Sequence, residues 1–468
     1  LGTGYDWLYD FLDEPSRLAI RQAIVEKGLK PSLTHNSWSK AIHNWNQVCN
    51  AGMAIGALAV AEHEPQLAAR MIARAINTVP AAMHEYGPDG AYPEGASYWS
   101  YGTTFNVMLI AALESTLGSD FGLTRTPGFA ATSDFMLHVY GPTGLPFNYS
   151  DAGSGRAGLI PAMFWFAAVR QEPYLLHSEW AKLAASANPF DGDRLDPLLL
   201  LWLPKSASRP PAPQALSWTG HGITPVAFHR SSWDPSATFV AVKGGSPSSN
   251  HAHMDAGAFV MDAAGTRLAD DLGMQSYHSL ESRGIDLWSR GQDAGRWKVF
   301  RLGTAAHSVL MVNGLQQRVD GMARITAGKP GRTVVDLSEI YRGQLARARR
   351  GVQLRPDRTV LIQDEFAAPE TAAASVRWAM LTRADVRLDG PGRATLTRDG
   401  RTLEFRVLEP AGAALKIYPT DPPPAETDAP NPGTRMVGFE IETPAGAPRR
   451  VVVHLIPHPS AAAAAALQ

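Results

Sequence analysis

Cysteine is almost missing from this chain. Cys49 is the only one among 468 residues, which excludes an internal disulfide framework, a Cys-x-x-Cys zinc module and a thiolate iron–sulfur cage. Net charge is missing too. Lys+Arg 43 against Asp+Glu 44 leaves −1, so no global basic field exists to argue for a nucleic-acid partner. No apolar run reaches the roughly 18–20 residues that a membrane span requires. The longest, around 53–61 and 257–264, are broken by Gly or polar residues. The G-x-x-x-x-G-K-[ST] nucleotide loop is absent, as is a G-x-S-x-G nucleophile elbow. What remains is an ordinary globular composition, 45% hydrophobic and 19% charged, long enough for one large or two to three ordinary domains.

The two halves carry different periods. Up to about residue 203 the apolar spacing is helical, over 14–27, 46–61, 66–83, 104–117, 130–140, 159–171 and 195–203. Asp13-Glu14-Pro15 supplies the acidic first turn that a helix N-terminus prefers. After residue 216 the period becomes two. The short β-branched runs 238–243, 258–262, 308–312, 333–337, 359–364, 376–381, 402–408, 414–418, 436–442 and 450–456 alternate with Asp-Gly and Asn-Pro-Gly turns. Helices followed by strands predict segregated layers instead of a parallel α/β sheet. The expected divisions are a helical domain over 1–204, a Pro-rich linker over 205–215, a sandwich over 216–390 and a C-terminal sheet portion over 391–468. That last portion ends in a frayed alanine tail at 461–466.

Four constellations can carry chemistry. His43-Asn44-Trp45-Asn46-Gln47 stands at a helix entry, where Asn44 or Asn46 would cap and Trp45 would pack, or where the set would face a ligand. Tyr92–Gly102 is read as an aromatic, Gly-punctuated loop ahead of a helix. It contains Glu94, Tyr98, Trp99 and Tyr101, suited either to sugar stacking and proton transfer or to packing. Ser249–Asp255 opens a strand; if extended, His251 and His253 project to one face. Two imidazoles with Asp271 and His307 downstream form a donor set of the kind zinc accepts. Finally, Arg283, Trp288, Arg290, Arg296, Trp297, Lys298 and Arg301 interleave cations with indoles, as an acidic sugar chain would require. Its bland alternative is a solvated loop partly neutralised by Glu281, Asp286 and Asp293. The arginines between 342 and 358 are expected on the outer faces of strands.

Taken together and in this order, the His43–Trp45 segment, the Tyr92–Gly102 loop, the Asn250–Asp255 stretch, Asp271-Leu272-Gly273 and Ala306-His307-Ser308-Val309 resemble the heparinase II/III-like polysaccharide lyases. The resemblance implies an α+β multidomain chain, an N-terminal α/α toroid (incomplete at its start) followed by an antiparallel β-sandwich. It implies Tyr98, His43, Asn44 and His251 as catalytic residues. Asn46, Trp45, Glu94, Trp99, Tyr101, Asn250, Arg296 and Trp297 would then bind substrate. It further implies a structural Zn2+ on His253, Asp271 and His307, although the usual His-Asn-Thr at the last position reads His307-Ser308-Val309 here.

The implied reaction is β-elimination on a uronate-containing acidic polysaccharide, of heparin/heparan sulfate type first and alginate or oligoalginate second. An inverting glycoside hydrolase using Asp89 and Glu94, or a silent glycan-binding protein, remain the competing classes. The expected surroundings are periplasmic or extracellular, with a chain that begins at Leu1 leaving room for an upstream signal. No nucleic-acid or membrane partner is expected.

Overall fold

The structure, a computed structural model, describes residues 1–185, 192–204 and 208–458. The chain divides into two compact units. One comprises residues 1–90, 97–133 and 158–211; the other comprises 91–96, 134–157 and 212–468. Sequence alone expects breaks at 205–215 and after residue 390. Instead, two pieces of the helical half, 91–96 and 134–157, fold with the sheets. Residues 205–207 of the expected linker and the alanine tail lie outside the described residues.

The first unit is built from helices. Asp13 caps Glu14–Ala23 through its carboxylate, which accepts from the Ser16 N–H at 2.9 Å, with Pro15 in the first turn. Asn44–Leu58 packs against Pro65–Thr78, and Ala57, Val60, Ala68 and Met71 meet Tyr5, Ile24, Val25 and Leu29 in a buried apolar cluster. Pro80 breaks the expected 66–83 helix in two, because proline lacks the N–H that would continue it. Helix Ala96–Leu117 begins eight residues before its expected start. Tyr98, Trp99 and Tyr101 therefore sit on the helix and not in a preceding loop. Pro161–Arg170 completes the main helical set, its residues 161–167 all buried. Among the described residues, no helix is long and apolar enough to cross a membrane.

The second unit holds three antiparallel sheets. Five strands, Ser217–Gly220, Val226–Arg230, Phe239–Lys243, Phe259–Ala263 and Thr266–Ala269, run as a sequential meander. Eight strands between Arg324–Lys329 and Pro448–His458 form the largest sheet, which crosses residue 390 without interruption. A four-stranded sheet pairs Lys416–Pro419, Arg435–Thr443, Ala374–Thr382 and Leu310–Val312. One apolar core joins all three, with Val240, Phe259, Val352, Ile362, Trp378 and Val453 among its members. Alternation along Arg347–Leu354 puts Arg347 and Arg349 outside but Arg350 inside, fully buried. The expectation of an all-outward arginine face is wrong at that residue. Arg350 forks onto Asp364, with Nε to Oδ1 at 2.8 Å and Nη2 to Oδ2 at 3.0 Å. Its other donor, Nη1, reaches the carbonyls of Gly257 and Ser308.

Candidate functional site

In the helical unit, His43 is the N-cap of Asn44–Leu58, its Nδ1 accepting the Trp45 N–H at 3.4 Å. That cap was expected from an asparagine. Asn46 is fully buried and committed elsewhere. Its amide donates to the Ser39 and Thr78 carbonyls, and its oxygen accepts from Asn50. Trp45, by contrast, is 61% exposed. Trp99 is buried, donating to Thr132 Oγ1 at 2.7 Å and lying beside Phe166, so its ring is core and not a stacking platform. Tyr98 is half-buried in the first turn of Ala96–Leu117. Tyr101, one turn on, accepts from Arg194 Nη2 at 3.3 Å and meets Phe105 edge-on.

In the sheet-bearing unit, the His251 segment is a turn and not a strand. His251 has φ +58, and the strand begins only at Phe259. Both histidines nevertheless reach one carboxylate, because the turn wraps over the segment carrying Asp151. His251 Nδ1 lies 3.2 Å from Asp151 Oδ2, and His253 Nε2 lies 2.9 Å from Asp151 Oδ1. Tyr277 donates its hydroxyl to Asp151 Oδ2 at 2.7 Å and sits 2.8 Å from His251 Nδ1. Arg296 Nη2 contacts both Asp151 oxygens at 3.1 and 3.0 Å. On its other side, His251 Nε2 faces Glu94 Oε2 at 3.3 Å, and Tyr92 donates to Glu94 Oε1 at 3.0 Å. His251 thus has an oxygen beside each ring nitrogen. Tyr277 stacks over that ring, and half-exposed Trp288 meets it edge-on.

Burial alone would raise the Asp151 carboxyl. The Arg296 charge and the hydrogen bonds from His251 and His253 outweigh burial and hold it well below its ordinary value. Deeper still, burial lowers His253 despite its bond to Asp151. For His307 burial acts the same way, but the Asp271 charge and hydrogen bond win and raise it. Asp255 is lowered: burial is overcome by Lys243, His307 and His253.

The expected metal ligands come together in part. The His253 and His307 rings lie 5.4 Å apart between centroids. His253 Nδ1 and His307 Nε2 are both buried with no hydrogen-bond partner, which fits a pair of imidazole nitrogens able to hold a cation. Asp271 Oδ2 meets His307 at Nδ1, 2.8 Å away, while Oδ1 accepts from the Gly273 N–H. In this arrangement Asp271 orients the His307 ring from its far nitrogen.

The expected basic cluster is mostly spoken for. Arg296 is buried on Asp151 and the Ala252 carbonyl, and Trp297 is buried with its indole N–H on the Gly291 carbonyl. Arg283 and Arg301 pin backbone carbonyls of residues 426–427 and of Met274 and Pro430. Arg290 holds Asn250 Oδ1 and the Ser248 carbonyl. Lys298 remains exposed. Asp151 and Tyr277 were not singled out from sequence. They lie 100 residues before and 26 residues after His251, and no spacing rule links such positions.

Residues 227–449 match the family model described as Heparinase II/III-like, C-terminal, which contains His251, His253, Asp271 and His307. Over that segment the chain is heparinase II/III-like. Its fold is that of solved heparinase structures. A heparan sulfate lyase from Pedobacter heparinus superposes with a TM-score of 0.61 at 16% identity, over 89% of this chain and 59% of that one. A structure titled Heparinase III gives 0.67 at 13%, over 88% and 62%. A heparinase III gene product gives 0.63 at 16%, over 96% and 64%. The chain therefore spans about three fifths of the length of those structures. By sequence, no curated protein matches it.

Proposed function

We propose that the protein is a polysaccharide lyase that cleaves a uronate-containing acidic glycan by β-elimination, with a heparan sulfate-type polymer as substrate. The observation that carries this reading is the His251 cluster, an imidazole clamped between Asp151 and Glu94 inside the segment matched to the lyase family. The fold shared with a heparan sulfate lyase supports the heparan sulfate class. Alginate or an oligoalginate is the second reading, since carboxylates alone would satisfy the exposed cations.

The C5 proton of a uronate is weakly acidic because its removal builds negative charge beside an existing carboxylate. Hydrogen-bond donors aimed at that carboxylate must spread the developing charge. Asn44 and His251 are assigned this task. Tyr98 is assigned as the acid that protonates the departing O4, and as the base where proton and leaving group share a face; His43 or His251 serves the opposite epimer. Zn2+, held by His253 and His307 with Asp271 fixing the His307 ring, would stiffen the turn that carries His251. A substrate of polymer size argues for a periplasmic or secreted protein.

The test is ultraviolet absorbance of products from heparin, heparan sulfate, chondroitin sulfate, hyaluronan, alginate and polyglucuronate. Elimination leaves a conjugated C4–C5 double bond that hydrolysis cannot make. Tyr98→Phe should lower turnover by about 10²–10⁴-fold with glycan binding retained. New reducing ends without absorbance would replace the lyase by a hydrolase. Full activity in Tyr98→Phe would overturn the mechanism.

A further inference from the structure

One buried polar junction in the sheet-bearing unit is accounted for by neither the motif pattern nor the lyase mechanism. Asp151 is buried, 1% exposed, and its two oxygens receive four partners. Oδ1 takes His253 Nε2 and Oδ2 takes the Tyr277 hydroxyl and faces His251 Nδ1, while Arg296 Nη2 spans both. An ionised carboxylate offers about four lone-pair sites, so this acceptor is saturated. Its backbone is fixed as well. The Asp151 N–H donates to the His251 carbonyl at 2.9 Å, and the Ser150 N–H reaches Asp255 Oδ2 at 3.3 Å.

An acceptor-only group dictates which ring nitrogens carry protons. Tyr277 spends its single proton on Asp151, so it can only accept from His251 Nδ1. His251 is thereby a donor at Nδ1, and its Nε2 points to the Glu94 side. His253 is a donor at Nε2, which leaves the lone pair of its neutral ring on Nδ1. That is the nitrogen found buried without a partner. We infer that Asp151 is a positioning residue that sets the tautomer and orientation of both histidines at once, with Arg296 as its counter-charge and Tyr277 as the relay to His251.

One carboxylate thus couples the imidazole assigned to the substrate with the imidazole of the deeper pair. The competing account is that Asp151 merely neutralises a buried arginine. In that case the rings would keep their protonation pattern without it.

For catalysis this rests on the lyase reading, so the experiment has an arm that does not. Ring ¹⁵N resonances of histidine-labelled protein would be recorded for the wild type, Asp151→Asn and Tyr277→Phe. His251→Gln and His253→Gln would assign the peaks. We expect Asp151→Asn to shift both rings and Tyr277→Phe to shift His251 alone. In parallel, Asp151→Asn should lower kcat by about 10- to 100-fold, as outer partners of functional histidines do, with KM changed less than about threefold. Unchanged His251 and His253 resonances in Asp151→Asn would overturn the inference. So would a loss confined to KM. If Asp151→Asn does not fold, Tyr277→Phe decides, and an unmoved His251 ring sinks the relay. A wild type silent on every polymer would defeat the lyase reading, while the resonances would still decide the role of Asp151.

Discussion

Removing Arg350 should cost more than removing its partner Asp364, and the structure sets the size of the difference. Both side chains are fully buried, joined by two hydrogen bonds, and Trp378 Nε1 adds a third to Asp364 Oδ2 at 2.8 Å. Breaking a buried pair from one side strands the other charge, at a cost of about 3–5 kcal/mol. Asp364→Asn does this and also turns its amide N–H against one arginine donor, which adds about 1–3 kcal/mol. Arg350→Met strands Asp364 and also orphans the carbonyls of Gly257 and Ser308, which receive Arg350 Nη1 at 2.7 and 2.6 Å. Each buried carbonyl left unpaired costs about 1–3 kcal/mol. Arg350→Met should therefore exceed Asp364→Asn by the cost of one further unpaired group, about 2 kcal/mol. Against a total stability of about 5–15 kcal/mol, such a cost reads out as loss of folded protein. Urea unfolding of the intact chain, followed by far-ultraviolet circular dichroism, measures both. A reversed ranking, or an Arg350→Met cost below about 2 kcal/mol, would refute the reasoning. Because Ser308 follows His307 and Gly257 follows Asp255 by two, Arg350→Met should also depress turnover.

Acid should destabilise the sheet-bearing unit through His229. Burial lowers its pKa from the ordinary 6.5 to about 4, and its ring nitrogens are occupied by Ser217 Oγ and Thr333 Oγ1 at 2.9 and 2.8 Å. The unfolded chain then binds the proton first, so this stability is present above pH 6.5 and drains away as the pH falls toward about 4, amounting to about 3 kcal/mol. His229→Gln should flatten that limb of a stability-against-pH curve; an identical slope in variant and wild type would count against the assignment. Gly95→Ala should cost about 2–4 kcal/mol. Gly95 has φ +85, and a Cβ there would come 2.7 Å from Ala152 Cβ and 3.0 Å from the Tyr149 carbonyl. The same shift should move Glu94 away from His251 and lower kcat, so unchanged melting and turnover would show that the turn has slack.

Much of this molecule was legible in its residues. A 3.6-residue period followed by a two-residue period is local information, since each element buries one face whatever it packs against, and it gave the order of helices then sheets. The ten strands expected from β-branched runs all form. Of those missed, Ser217–Gly220, Arg324–Lys329 and Asp385–Gly390 are short or mostly exposed, while Val226–Arg230 is fully buried but ends in His229 and Arg230, which mask its apolar run. The His-x-His pair was also visible, because both rings lie within three residues. Its geometry was not. A positive φ at His251 replaces the expected strand, and the two rings converge because Asp151 receives them. Arg350 looked like a surface arginine until strand register turned it inward onto Asp364. Arg296 likewise reads as a cation for an acidic ligand, yet burial gives it to Asp151. Sequence determines which chemistry the chain owns and which elements carry it. Which charges meet is decided by tertiary structure, because a carboxylate's partner is whichever cation packing leaves beside it after water is removed, and residues 151 and 296 become neighbours only through the fold.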